Sequence, residues 1–411
     1  MRLFLLLGLA ILSGGCLGRR PLVWVTSQVV PAQVAEGMAL AEAFSRRTDV
    51  PVLYKHGIGR QELAEMLARG ESVDVLTLSS AELGSSAAQG LLVPLGDLPR
   101  QNLSQEKQEF YSTGLEAGKV GEQLYGLPIC VDVPVVYYNR EILRRLKARP
   151  PAGRWEWGDY LERAKALTRD LDGDGVPDVY GVYCHGELDT LLAQEGVQIF
   201  SYGEDQKAAQ SALNGAALRD VLEFYLDLKE ELQVCPPRVA QGDPVRSFSA
   251  GEVAMLTASI TWAGEIAAAT DFDWDLAPVP APQRGKRYHS LGVSLLAVPR
   301  ACHNQDQAGR FIEFACRWQG LSGTGGIPAA KAVAQSEQFL KAFPPGVEKV
   351  VADLGGFLPP RNGQEVDFLR TIWYEEVGKL LKGQQSLDDT LSELERRGNE
   401  MVGSRGAVGP S

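Results

Sequence analysis

The stretch that most constrains this chain is Leu127-Pro-Ile-Cys-Val-Asp-Val-Pro-Val-Val-Tyr-Tyr138, apolar or aromatic at nearly every position. Such a run suits a strand covered on both faces. Yet Asp132 stands in its middle, and neither Pro128 nor Pro134 can donate to a ladder. The run therefore reads as a strand that begins, breaks beside a carboxylate and resumes, as a chain does where it passes from one lobe to another beside a cleft. The plainer alternative is a bulge made by Asp132 and Pro134.

A chain of 411 residues is long enough for about two domains with sizeable cores. Hydrophobic residues at 45% and charged residues at 23% fit a soluble globular protein and exclude a mostly disordered one. The net charge of −11 leaves no basic field to hold phosphates, which argues against a nucleic-acid partner.

The N-terminus is unlike the rest. Arg2 precedes an apolar run from Leu3 to Leu12, followed by Ser13-Gly-Gly-Cys16. The run is too short to span a bilayer but fits a signal-peptide core before small residues at a cleavage site. A cysteine after small residues resembles the bacterial lipoprotein signal, which implies a signal peptide over 1–15, a lipid on Cys16 and an anchored linker over 16–21. Ser13 stands where that signal usually has Leu, so ordinary secretion is the alternative. The other five cysteines, Cys130, Cys184, Cys235, Cys302 and Cys316, are scattered and form no C-x-x-C pair. Neither a disulfide framework nor a zinc site is signalled, and buried free thiols are expected.

Strands at Leu22–Val25, Pro51–Tyr54 and Val73–Leu78 alternate with helices at Ala32–Arg47 and Arg60–Arg69. That order predicts a largely parallel sheet covered on both sides, with ligands beyond the carboxyl ends of the strands. Ser27, Gln28 and Ser79 lie there as hydrogen-bonding candidates, although such residues also make turns and caps. In the first helix Met38, Leu40 and Phe44 are available for packing, and Trp24 is read as core. Asp170, Asp172, Asp174 and Asp178 alternate with glycines as in a calcium loop, but Gly181 stands where the bidentate Glu belongs. A structural calcium or a plain solvated turn fits. Asp243-Pro244 predicts a helix start, and Ser386 with Asp389 a capping box for a helix to Met401.

Several segments carry a resemblance when taken in order. They are Leu124-Tyr-Gly-Leu-Pro128 with Tyr137-Tyr-Asn139, then Phe248-Ser-Ala-Gly-Glu-Val-Ala-Met255 with Trp262, then Gly292-Val-Ser-Leu-Leu-Ala-Val-Pro299, and finally Gly325-Gly-Ile-Pro-Ala329. This series resembles the extracellular solute-binding proteins of ATP-driven importers, in particular the sugar-binding branch that includes maltose-binding protein. The resemblance implies a two-lobed α/β periplasmic-binding-protein fold of type II, with two mixed sheets flanked by helices and a cleft between lobes. Lobe 1 would comprise 22–131 and 290–345, and lobe 2 would comprise 132–289 and 346–402, with a disordered tail over 403–411.

It also implies a function: capture of a small solute, foremost a sugar or oligosaccharide, and delivery to an ABC permease, by a monomer without catalytic residues or cofactor. Asp132 would accept solute hydroxyls and Trp262 would stack on a sugar ring, since an indole suits the apolar face of a sugar. Ser27, Gln28 and Ser79 would contribute polar contacts, the Gly326 turn would offer backbone N–H groups, and Tyr288 and Arg361 are further candidates. Val25-Thr-Ser-Gln28 is also similar to binding proteins for ferric iron or phosphonates. A secreted carbohydrate-active enzyme, or a surface sensor or adhesion protein, would also be exported and globular, although no G-x-S-x-G, H-E-x-x-H or P-loop motif is present.

Overall fold

The computed structural model describes residues 20–99, 108–151, 155–183, 187–202, 208–213, 215–236, 243–281, 290–361 and 363–406. Its strands are β1 (Leu22–Val25), β2 (Val52–Lys55), β3 (Val75–Ser79), β4 (Lys119–Val120), β5 (Gln123–Leu124), β6 (Gly126–Asp132), β7 (Pro134–Asn139), β8 (Tyr180–Tyr183), β9 (Phe200–Tyr202), β10 (Ala208–Ser211), β11 (Val253–Ser259), β12 (Trp274–Pro278), β13 (Gly292–Ala297) and β14 (Ile327–Pro328). A six-stranded sheet has the order β14-β6-β13-β3-β1-β2, and a four-stranded sheet has the order β12-β7-β11-β8.

The first sheet is mixed for a covalent reason. Helix α1 (Pro31–Thr48) and helix α2 (Arg60–Ala68) are crossovers, so β1, β2 and β3 run parallel. Strand β13 enters late in the chain and pairs antiparallel with both β3 and β6. The second sheet mixes a parallel β8–β11 pair with antiparallel β7–β11 and β7–β12 pairs.

The apolar run breaks where its carboxylate stands. Strand β6 ends at Asp132 in the six-stranded sheet, Val133 is fully buried, and β7 starts at Pro134 in the four-stranded sheet. Pro134 is the first residue of its strand, where a missing N–H costs least. The register irregularity in this run lies between Pro128 and Cys130, so the bulge is real but separate from the crossing.

Two further passages between the sheets join this one. The N–H of Leu291 donates to Asp132 O at 2.9 Å, and that of Ser290 to Leu358 O at 3.0 Å. The helix Val347–Asp353 rides across the seam: Tyr111, whose N–H is bonded to Ala329 O beside the six-stranded sheet, donates its hydroxyl to Val351 O, while Gly346, which begins the helix, donates its N–H to Asp275 Oδ1 at 2.8 Å. Gly346 presses so closely on Leu276 O that no side chain fits there.

Several expectations need correction. Met38 points outward at 52% exposure, while Leu40 and Phe44 carry the packing. Cys130, Cys302 and Cys316 are buried thiols as expected, but Cys235 is disulfide-bonded, and Cys16 and Cys184 lie outside the described residues. The final helix, Leu387–Gly406, runs through the first residues assigned to a tail; Arg396 pairs with Glu393 and Glu400 along it, adding i,i+3 and i,i+4 support. Residues 407–411, and residues 1–19 with the expected signal peptide, lie outside the described residues. Between the helices Gly363–Phe368 and Tyr374–Leu381 lies a π-turn at Leu369–Trp373, which turns Trp373 into the core and leaves Tyr374 exposed.

Candidate functional site

The crossing strand brings Asp132 to the end of β11. Its Oδ1 accepts a hydrogen bond from Ser259 Oγ at 2.6 Å, and Ser259 Oγ lies 2.6 Å from Thr261 Oγ1 and accepts the Thr261 N–H at 3.0 Å. Asp132 belongs to the first sheet, whereas Ser259 ends a strand of the second and Thr261 follows it. The chain of three polar groups therefore spans the seam. The Ile260 N–H donates to Val133 O and the Tyr137 hydroxyl to Ser259 O, fixing the Ile260–Trp262 turn against β7.

Burial pushes the Asp132 carboxyl up to about 7, while the Ser259 hydrogen bond and the Val133 N–H pull the other way. Asp132 keeps partial contact with solvent, so water in the cleft moderates that rise. It also raises its neighbour: burial and then the Asp132 charge push the Tyr137 phenol well above its ordinary value. The result is a carboxylate that changes charge near neutrality, facing hydroxyl groups.

Trp262 lies in the turn that follows Ser259, half-buried and packed against the core, so one part of its ring is held and another stays accessible. Gly326, at φ +117°, backs the site: a Cβ there would stand 2.6 Å from Val131 O and 3.2 Å from Asp132 N. Its N–H is already donated to Gly323 O at 3.0 Å, so the turn approaches Asp132 through a bare Cα rather than by offering that N–H. Arg361 is 11% exposed along its side chain and sits 4.0 Å from Glu365, an enclosed pair just beyond the Ser290–Leu358 crossing. Tyr288 lies outside the described residues.

The candidates beside the six-stranded sheet diverge. Ser27 is exposed, and its hydroxyl has no hydrogen bond among the described residues. Gln28 is half-buried and borders a cavity of about 70 Å³ under α1, together with Gln33, Glu36 and Cys130. That space suits roughly two waters rather than a sugar. Ser79 is spent on its own helix: its N–H and hydroxyl both donate to Glu82 Oε2, at 2.9 and 2.7 Å. At the aspartate turn, Asp170, Asp172 and Asp174 bring oxygens within 4.8 Å of one another. Asp170 takes N–H groups from Gly173 and Gly175, and Asp178 takes those of Leu171 and Asp172.

Reasoning from the sequence does not reach Ser259, Thr261 or Asp275. Ser and Thr at and just beyond a strand end, beside a tryptophan, are the available signal for the first two. Asp275 lies inside an apolar strand and takes the Tyr138 hydroxyl at 3.0 Å as well as the Gly346 N–H.

The sequence matches the family described as bacterial extracellular solute-binding protein over residues 39–344. The chain belongs to that family. This solute-binding protein is 24% identical to the galactooligosaccharide-binding protein of Bacillus subtilis over 291 residues, or 66% of this chain and 64% of the relative, so it spans just under two thirds of that relative's length. It is 23% identical to the mannitol-binding protein of Pseudomonas aeruginosa over 321 residues, covering 71% of this chain and 69% of that one. In structure it is similar to a cyclo/maltodextrin-binding protein complexed with maltotetraose, with a TM-score of 0.75 at 20% identity over 94% of this chain and 97% of that one. An ABC substrate-binding protein from Listeria monocytogenes in complex with cycloalternan gives 0.72 at 20% identity, over 93% and 98%. These likenesses establish the two-lobed type II fold. The family and these relatives are binding proteins rather than enzymes, and the family is extracellular, which makes this solute-binding protein an exported one. Among the described residues no helix is long and apolar enough to cross a membrane.

Proposed function

We propose that this solute-binding protein captures a sugar or oligosaccharide between its lobes and delivers it to an ABC permease, working as a monomer held at the membrane by a lipid on Cys16. The observation that carries the sugar reading is the Asp132–Ser259–Thr261 chain across the seam, followed directly by the half-buried Trp262. A carboxylate and two hydroxyls offer acceptors and donors to solute hydroxyls, while the indole offers a face to a pyranose ring. Relatives named for galactooligosaccharide and mannitol, and neighbours holding maltotetraose and mannobiose, support the same class. The disulfide at Cys235 fits an oxidising, extracytoplasmic setting.

In this reading the lobes comprise 22–131 with 290–345 and 132–289 with 346–402. Solute touching both sides of the seam favours the closed state, because only the closed state lets both sets of contacts form. Among the first-lobe candidates Ser27 is the open contact, and Arg361 acts by holding the wall of the seam rather than as a free fork.

The test is thermal unfolding of the chain from Cys16 onward with mono- and oligosaccharides, polyols, phosphonates and ferric citrate. A solute at a hundredfold excess over its dissociation constant raises stability by about 2.7 kcal/mol. Trp262→Ala is expected to lower sugar affinity by roughly thirtyfold, or about 2 kcal/mol, with a much smaller change in melting temperature. A shift with phosphonate or ferric citrate alone would replace the sugar reading, and equal losses of stability and affinity in Trp262→Ala would make the indole a core residue.

A further inference from the structure

Helix α2 is loosely seated: of its nine residues only Met66 is buried, while Leu63 and Leu67 are half-buried. Between it and helix α3 (Ser80–Ala88) lies a cavity of about 480 Å³. Its floor is the sheet itself, at Val25, Leu76 and Leu78, and one wall is Leu63, Ala64 and Leu67. The other wall is Glu82, Ser85, Ser86 and Gln89; the Ser85 and Ser86 hydroxyls are already donated to Glu82 O, at 3.0 and 2.9 Å, which leaves the Gln89 amide as the polar contact at the far end.

The charged groups gather at one end. Ser27 stands there, just past the carboxyl end of β1, with Arg60 and Glu82. Arg60 is 81% exposed and meets Glu82 only at 3.7 Å, leaving most of its five donors open. This is the end that faces the cleft, because solutes of such sheets bind beyond the carboxyl ends of the strands. From there the cavity follows α2 as far as Leu67, a rise of roughly 10 Å. The part of the channel lined by Leu63, Leu67, Leu76, Leu78 and Leu91 has little to offer an occupant that is only a hydroxyl-covered solute.

We propose that the channel receives the apolar aglycone of a glycoside, an alkyl or aryl group, whose sugar ring lies in the cleft. The inference rests on the sugar reading above and narrows its substrate class. Ser27 and Arg60 meet the hydroxyls nearest the glycosidic oxygen, and the aglycone lies over Leu76 and Leu78 between Leu63 and the α3 wall.

The experiment measures calorimetric affinities for methyl, hexyl and 4-nitrophenyl glycosides of glucose, galactose and mannose, below any micelle-forming concentration. At least one sugar is expected to bind about tenfold or more tightly as its hexyl or nitrophenyl glycoside than as its methyl glycoside. Ala64→Trp, at an exposed position that borders the channel, should abolish this gain and leave the methyl glycoside unchanged. Ser86→Phe fills the channel from the opposite wall and should do the same, with melting temperatures confirming that both variants are folded. Equal affinity for methyl and hexyl glycosides overturns the proposal while leaving sugar binding intact, and so does a gain that survives both variants. Hexyl compounds that bind when no methyl glycoside does, and are lost in both variants, would keep the channel as an apolar site and overturn the sugar reading. No binding by any probe overturns the proposal.

Discussion

The seam between the lobes and the channel under α2 are built on opposite terms. At the seam, main-chain groups are paired across the passages, Gly346 leaves no room for a methyl group, and Asp132 is tied to Ser259. Under α2, about 480 Å³ stands between a helix and the sheet it covers. Close packing makes the seam intolerant of volume change, whereas a helix over a cavity has given up contacts that a substitution could otherwise remove. The difference teaches where each kind of specificity sits: the seam fixes how the lobes meet, and the channel leaves volume free for what they hold.

The comparison breaks most sharply at Gly346. A Cβ there would run into Leu276 O and crowd Asp275, so Gly346→Ala should destabilise the protein by about 4 kcal/mol or more in urea unfolding. A loss below about 1 kcal/mol would show that the seam yields as readily as the channel. Asp132 sharpens the contrast through two opposite pH responses. Its acid is raised from 3.8 to about 7 in the fold, so its stabilising contribution is full below about pH 4 and is lost as pH rises through 7. Sugar affinity should move the other way, because the ionised form is the better hydroxyl acceptor, rising about tenfold between pH 6 and 8. Asp132→Asn should flatten both profiles; an unchanged pH profile of affinity in that variant would remove Asp132 from the binding site.

On the channel side, Leu63→Ala should cost less than about 1 kcal/mol, against the 2–5 kcal/mol typical of packed core leucines such as Leu256. A loss in the core range would mean that α2 is clamped down in solution. The smallest effect is expected at the aspartate turn, whose carboxylates already take main-chain N–H groups. Removing calcium with a chelator should change the melting temperature by about 1 °C or less, and a large drop would establish a structural ion there.

Much of the fold was legible because local chemistry and tertiary packing agreed. Strand Leu22–Val25 lies where its apolar run placed it, Asp243 caps its helix through the N–H groups of Val245 and Arg246, and the chain changes sheets at Asp132 and Pro134. The site was only half legible. Asp132 stood out as a charge in an apolar run, whereas its partner Ser259 is 127 residues away and chemically ordinary, so only the meeting of two sheets reveals the pair. Met38 failed for another reason: helical periodicity gives a face but not its width, and this residue lies just outside the buried stripe. The π-turn at Leu369–Trp373 and the cavity under α2 are products of packing between elements, and neither leaves a pattern in the residues that form it.

The three passages between the sheets also limit how the molecule can move. A body hung from one strap can swing and spin; one hung from three straps knotted side by side can only nod. Leu291 is fastened to Asp132 and Ser290 to Leu358, so the straps bend together, and the lobes share a single axis. In the reading proposed above, a solute that draws the lobes together would do so about that one axis, toward one closed posture.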